Sequence, residues 1–496
     1  MNTVTDAVEP DRRPATTSGG RWITDWRPDD ETFWQSTGKS VANRNLIFSI
    51  LSEHIGFSVW SIWSVLVLFM GPKYGLSPAD KFLLTSTPTL VGAVLRVPYT
   101  FAVAKFGGRN WTVFSALLLL VPLILAAIVL KPGVSLNTLL IVAAVAGVGG
   151  GNFASSMANI NAFYPDRYKG WALGLNAGGG NLGVAAVQLV GLLVLATAGR
   201  SHPRLVLGVY LPLTILAALA AALMMDNLSS ARNDKRGIRD VLKFGDTWLI
   251  SLLYIGTFGS FIGFGFAFGQ VLQVQFKADF DTPIKAAYLT FLGPLLGSLI
   301  RPVGGKLADR YSGAVITFWN FVAMAVAAGV VLMASMQKSL SLFLIGFIAL
   351  FVFSGIGNGS TYKMIPAIFR AKSAAMVRRG TDPAVAGREA RRLSAALIGV
   401  AGAIGALGGV LVNLAFRQSF LTYQTGNAAY ITFLLFYALC FVVTYVAYLR
   451  PVRDAEPASS PASSPESSAQ SVDAPQSVDA PESVDAAESV DAAESA

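Results

Sequence analysis

Two arginines stand where an arginine is expensive. Arg96 lies in "GAVLRVPYTFAVAKFGGR" and Arg301 in "GSLIRPVGGKLADRYSG", each over two helical turns from the loop cations Lys105 and Arg310. A guanidinium at the centre of a membrane-spanning helix costs about 2.5–3.5 kcal/mol even on a lenient insertion scale, so such residues face protein or a water-filled cavity. Aligning Arg96 with Arg301 also aligns Gly92 with Gly297 and Lys105 with Arg310. Gly293, Gly297, Arg301 and Gly305 share one helical face, and the missing side chains let a helix or a ligand come close. Snorkelling to the interface is the plain alternative, but it needs no matched glycines. Neither arginine has an acidic partner in its own span, so the charge must be balanced from elsewhere. Two facing arginines near the midplane make an anion site. The planar, permanently charged fork suits a planar oxyanion gripped at two oxygens. Nitrate, nitrite, a carboxylate and bicarbonate all fit that description.

The composition says what must carry these arginines. The chain has 496 residues, 53% hydrophobic and 14% charged, and a mean hydropathy of +0.55. Soluble domains carry about 25% charged residues, so this is a membrane protein. Twelve apolar segments are long enough to span: 45–70, 79–104, 110–130, 136–163, 169–197, 204–225, 247–273, 284–307, 313–335, 339–369, 391–416 and 427–449. The expected fold is an all-α membrane protein of twelve transmembrane helices in two pseudo-symmetric six-helix bundles. Its parts are a cytoplasmic lead (1–44), an N-terminal bundle (45–225), an interdomain loop (226–246), a C-terminal bundle (247–450) and a tail (451–496). The repeat around the two arginines is the mark of a duplicated six-helix unit. Lys and Arg crowd the loops on one side, including Arg109, Arg167, Arg232 to Lys243 and Arg370 to Arg392, which places both termini in the cytoplasm. The net charge of +9 is spread over those short clusters, which does not fit nucleic-acid binding. The tail repeats "SVDAPQ SVDAPE SVDAAE SVDAAE" and reads as a disordered acidic extension. With His54 and His202 the only histidines and Cys440 alone in an apolar run, there is no catalytic set, no metal site and no cofactor motif. An enzyme is therefore not expected. A membrane sensor would need a soluble domain, and none is present.

Glycine runs mark two of the spans. In "GVGGGNFASSMANINAFYP", Gly147, Gly151, Ser155 and Asn159 fall on one stripe. Gly355, Gly359 and Lys363 do the same in the tenth span, with Gly357 beside them, and Gly170, Gly174 and Gly178 in the fifth. Small residues at this spacing let helix backbones touch, and close packing accounts for most of them. A buried amide needs a partner, so Asn152, Asn159 and Asn176 line a path or bind each other. No "GK[ST]" follows the glycines, so this is not a phosphate cradle.

"GNFASSMANINAFYP" and "GNGSTYKMIPAIFR" resemble the two signature stretches of the nitrate/nitrite porter family of the major facilitator superfamily. "ITDWRPDDETFW", "LRVPY", "LLYIGTFGSFIGF" and "GGKLADRYSG" are similar to the same group, over about Ile23 to Arg450. The resemblance implies a multi-pass cell-membrane protein, working as one chain, that moves nitrate and nitrite by rocking two bundles about a central site. In that site Arg96 and Arg301 hold the anion, Tyr254 and Asn176 hydrogen-bond it, and Phe57, Phe153 and Phe258 sandwich or gate it.

The sequence departs from the exchangers of that family in two places. The first span reads "SILSEHIGFSVW", with Glu53 and His54 one turn before Phe57, and the tenth carries Lys363. A Glu53–Lys363 ion pair is one reading, and a packing role for His54 goes with it. The other is proton coupling, with Glu53 as an acid sensitive to His54, Lys363 and the bound anion. The expected activity is nitrate/proton symport, with nitrate/nitrite antiport as the alternative.

Overall fold

The computed structural model describes residues 16–17, 21–230 and 235–450. The acidic repeat tail (451–496) and residues 1–15 and 18–20 of the N-terminal lead lie outside them. Among the described residues, twelve helices are long and apolar enough to cross a membrane: α1 (Glu31–Phe69), α2 (Pro78–Phe106), α3 (Gly108–Val129), α4 (Leu136–Phe163), α5 (Asp166–Thr197), α6 (Arg204–Met224), α7 (Gly245–Gln275), α8 (Pro283–Tyr311), α9 (Gly313–Gln337), α10 (Leu340–Arg378), α11 (Pro383–Tyr423) and α12 (Asn427–Leu449). Their order matches the twelve apolar segments, but several run further. α1 begins at Glu31, where the Asp30 carboxylate caps the Phe33 amide, well before residue 45. The basic stretch after the tenth apolar segment is largely helix, because α10 and α11 continue past the membrane and turn only between Arg379 and Asp382.

The packing follows the duplication. α2 packs on α4 as α8 packs on α10, α1 on α5 as α7 on α11, and α3 on α6 as α9 on α12. The backbone repeats as well. Gly107, between α2 and α3, has φ +87 and ψ 146, and Ser312, between α8 and α9, has φ +82 and ψ 136. Gly107 suffers no penalty there, whereas a serine holding that conformation stores roughly 1–3 kcal/mol of strain. The two halves meet along α2–α11, α5–α8 and α1–α7.

The glycine stripes are where backbones touch. A Cβ on Gly355 would strike the Gly297 carbonyl oxygen, and one on Gly359 would strike that of Arg301, so α10 lies directly on α8. Gly151 makes room for the Tyr99 ring, Gly147 for Val91, and Gly357 for Thr257 and Asn320. Gly174 and Gly178 differ, because a Cβ on either would meet no atom within 4 Å.

One end of the bundle carries the basic loops and is called the basic face below. There a short strand, Trp22–Ile23, pairs in parallel with Asn227–Leu228, immediately after α6. Trp26 adds a hydrogen bond from its indole to the Phe163 carbonyl at the end of α4.

Candidate functional site

Arg96 and Arg301 are both buried, 1% and 5% exposed, and each guanidinium acts electrostatically on the other. On Arg96, Nε donates to the Gly150 carbonyl of α4 (3.3 Å) and Nη1 to the Gly402 carbonyl of α11 (2.6 Å), so this N-half residue reaches into the C-half. Arg301 donates from Nη2 to the Tyr254 hydroxyl (3.3 Å). Arg96 Nη2 and Arg301 Nη1 are buried with no partner among the described residues. A buried charged donor left unmade loses the full cost of its desolvation, so an acceptor belongs there.

Aromatic rings from both halves surround the pair. The Arg96 guanidinium lies 4.5 Å from the Phe153 centroid, 4.9 Å from Phe258 and 5.6 Å from Trp60. Phe57 meets Phe153 edge-on at 6.1 Å, Phe153 stacks near Phe258 at 6.0 Å, and Phe258 stacks on Tyr254 at 5.2 Å. Cation–π contacts of this kind offset part of the desolvation, each contributing on the order of 0.5–2 kcal/mol. Phe258 sits in a π-helical turn of α7, Ile255–Gly259, which starts one residue after Tyr254. Such turns widen a helix locally and recur at functional sites. Gly405 and Gly408 of α11 make room for it, since methyl groups there would strike the Tyr254 ring and Gly259.

The structure thus brings together Arg96 and Arg301, the pair read from their types and placement, with Tyr254, Phe57, Phe153 and Phe258, the residues that the family resemblance implies. Asn176 is turned differently. Its amide donates to Glu53 Oε2 (2.7 Å) and to the Ser156 hydroxyl (2.6 Å). Glu53 is fully buried, with both arginines acting on it electrostatically. His54 turns its Nδ1 to the Gly179 carbonyl at 3.2 Å.

Two readings of the sequence need correction. Lys363 does not pair with Glu53. Its ammonium bridges both oxygens of Asp309 in "LADRY" at 2.8 and 2.9 Å, at the open end of α8 and α10, so it takes no part in the buried site. Helical period put Lys363 on the glycine stripe, and that stripe faces α8, so its side chain passes over Gly305 to the Asp309 carboxylate of that helix. The asparagines do not bind one another either. Asn152 packs against Gly56 with neither amide atom partnered among the described residues, and Asn159 lies against Gly108 of α3.

Sequence reasoning missed Tyr362. Its ring lies 4.5 Å from Tyr254 and 5.6 Å from the Arg301 guanidinium, and its hydroxyl donates to the Ile398 carbonyl. The available signal was its place beside Lys363, one step round α10 from the glycine stripe.

On the side away from the basic face the halves are closed against each other. Phe82 stacks on Phe416 (5.6 Å) and Phe420 (5.5 Å) of α11, Thr85 donates to the Asn413 side chain (2.9 Å), and Gln188 donates to the Gly265 carbonyl (2.7 Å). Towards the basic face, a cavity of about 250 Å³ runs from Arg96 and Phe153 past Met157 and Ile398 to Ile238 and Arg392. Ion pairs cross its mouth. Arg391 meets Asp166 at 3.2 Å, and Arg392 meets Asp240 at 2.9 Å. The Arg392 hydrogen bond holds the Asp240 carboxyl below its ordinary range, so that pair persists at neutral pH and loosens only as the pH falls through the lowered value.

Comparison with known proteins agrees with this architecture. The sequence profile of the Major Facilitator Superfamily matches residues 49–381. The nitrate/nitrite transporter NarU of Salmonella typhimurium is 37% identical over 449 residues, covering 86% of this chain and 96% of that one. The probable nitrate/nitrite antiporter NarK2 of Thermus thermophilus is 34% identical over 380 residues, covering 72% and 84%. Among solved structures, the xylose transporter XylE from E. coli superposes with a TM-score of 0.60 at 12% identity, over 83% of this chain and 98% of that one. A bacterial homolog of the lysosomal transporter Spinster gives 0.58 at 16% identity, over 82% and 97%. The chain is a multi-pass membrane transporter that belongs to the nitrate/nitrite porter family of the Major Facilitator Superfamily.

Proposed function

We propose that this protein carries nitrate and nitrite across the cell membrane by alternating access, with nitrate entry coupled to a proton. The observation that carries the reading is the pair of buried guanidiniums, each with one donor lacking a partner, between aromatic faces drawn from both halves. A planar anion between Arg96 Nη2 and Arg301 Nη1 would satisfy both, with Tyr254 as a further donor and Phe153 and Phe258 against its face. Both halves would then grip one ligand, which is what couples occupancy to their rocking. The names of the related NarU and NarK2 proteins point to the same substrates. The positive-inside rule puts the basic face in the cytoplasm. The cavity from Arg96 then leads inward, and the stack around Phe82 closes the outside.

Support for proton coupling comes from Glu53. It is a fully buried carboxyl within electrostatic reach of both arginines, with His54 beside it in the chain. An acid there changes the net charge of the site when it gives up its proton. Antiport is the second reading, favoured by the Thermus relative named as an antiporter. The test is nitrate uptake into proteoliposomes under an imposed pH gradient, with no nitrite inside, for wild type and Glu53→Gln. Gradient-driven uptake that Glu53→Gln loses is the expected result. Uptake that begins only when nitrite is loaded inside would establish antiport instead.

A further inference from the structure

Glu53 lies at the top of a buried polar chain that the anion path does not use. The Asn176 amide donates to both Glu53 Oε2 (2.7 Å) and Ser156 Oγ (2.6 Å) and so holds the Ser156 hydroxyl beside the carboxyl, whose Oε1 has no partner among the described residues. Ser156 Oγ is in turn 2.9 Å from Ser49 Oγ, and either hydroxyl can donate. One turn further along α1, Asn45 donates to Asp226 Oδ2 (2.9 Å) and accepts from the Asp226 amide (2.8 Å), and Arg44 meets the same carboxylate at 2.6 Å. Ser49, Ser156, Asn176, Asn45 and Asp226 are all at least nine-tenths buried, and Asp226 sits at the basic face just past α6. The whole chain belongs to α1, α4, α5 and the end of α6, inside the N-terminal half. The cavity that starts at Arg96 runs between the halves, along α2, α4 and α11.

We infer that protons travel between Glu53 and the basic face through the hydroxyls of Ser156 and Ser49 to the Asp226 carboxylate, along a route inside the N-terminal half that is separate from the exit of the anion. Serine hydroxyls donate and accept at once, as a relay requires. In one concerted shift Glu53 gives its proton to Ser156 Oγ, Ser156 gives its own to Ser49 Oγ, Ser49 gives its own to one bridging water, and that water gives a proton to the Asp226 carboxylate. Each oxygen that accepts a proton releases one, so no alkoxide is left and one negative charge moves from Asp226 to Glu53. Asn45, one helical turn from Ser49 and about 5–6 Å away between Cβ atoms, holds the Asp226 carboxylate by its amide, so one water bonded to Ser49 Oγ and that carboxylate would complete the relay. Asn176 does not carry the proton. Its NH₂ donates to both oxygens and holds them in line. The charged or titratable groups around Glu53 are Arg96 of α2, Arg301 of α8 and His54 of α1, while α4 and α5 contribute the neutral Ser156 and Asn176. Lys363, engaged with Asp309, is outside this set.

The inference rests on the proton-coupled reading above, and the experiment separates the two. Ser49→Ala, Ser49→Thr and wild type are reconstituted with a pH-sensitive dye in the lumen. Gradient-driven nitrate uptake and dye-reported proton entry are read beside nitrate/nitrite counterflow, which needs no proton. Ser49→Ala should lose about a hundredfold or more in uptake and proton entry, the usual span for a lost proton-transfer group. Its counterflow should stay near wild type, and Ser49→Thr, which restores the hydroxyl, should recover coupling. Full coupling in Ser49→Ala overturns the route and leaves symport standing. Equal loss of uptake and counterflow in Ser49→Ala overturns it too, because Ser49 is then merely structural. No gradient-driven uptake in wild type brings down the coupling itself, and the route with it.

Discussion

At the scale of single residues, this protein is governed by the expense of charge in a low-dielectric interior. Arg96 and Arg301 were legible in the sequence because a guanidinium deep in an apolar run is costly, and the matched glycines, which snorkelling does not need, made the pair legible together. Tyr362 was not legible, since a tyrosine in a spanning helix breaks no rule. Lys363 was legible as an oddity but not as a partner, because Asp309 lies on another helix and only the tertiary fold brings the two together. The forked geometry of Arg301 yields a direct prediction. Arg301→Lys keeps the charge but loses the second donor, a charge-assisted hydrogen bond of about 1.5–3 kcal/mol, so the KM for nitrate should rise about ten- to a hundredfold. Proteoliposome uptake at graded nitrate concentrations measures it. An unchanged KM would mean that Arg301 does not touch the anion.

At the scale of helices, small residues decide how closely α8 and α10 approach. Gly359→Val would drive a side chain into the Arg301 carbonyl, and overpacking of this kind destabilises by about 1–3 kcal/mol. The thermal midpoint of the detergent-purified variant should fall. Gly174→Val, where a side chain meets open space, should leave it unchanged. Equal midpoints for the two would show that α10 can move off α8 without penalty. The number and order of the helices were plain from hydropathy, while their ends were not. The first helix starts early because Asp30 caps it in a stretch too polar to register as a span. α10 and α11 run long because their polar turns past the membrane stand largely exposed, where a helix needs no apolar run to persist. The π-turn of α7 left no mark in the sequence, since it answers to Gly405 and Gly408 on a distant helix.

At the scale of the molecule, the two halves form a lever closed at one end. The aromatic sandwich of Phe82 between Phe416 and Phe420 was invisible in the sequence, because phenylalanine in an apolar run is unremarkable until its neighbours are known. Each stacked pair contributes about 0.5–1.5 kcal/mol beyond the area it buries. Phe82→Ala should therefore shift the population towards the state open on that side by several-fold. With the buried Cys440 replaced by Ala, a Thr85→Cys probe should then react faster with an impermeant maleimide than it does when Phe82 is present. Equal labelling rates would remove Phe82 from the seal. The parallel strand Trp22–Ile23 on Asn227–Leu228 has a consequence in the order of synthesis. The first of these strands has its antiparallel neighbour Thr16–Thr17 at once but lacks its parallel partner until the ribosome has made residue 228, so at roughly 5–20 residues per second that edge waits tens of seconds for the sixth helix to be complete. Its docking therefore marks the moment when the first half is finished and ready to receive the second.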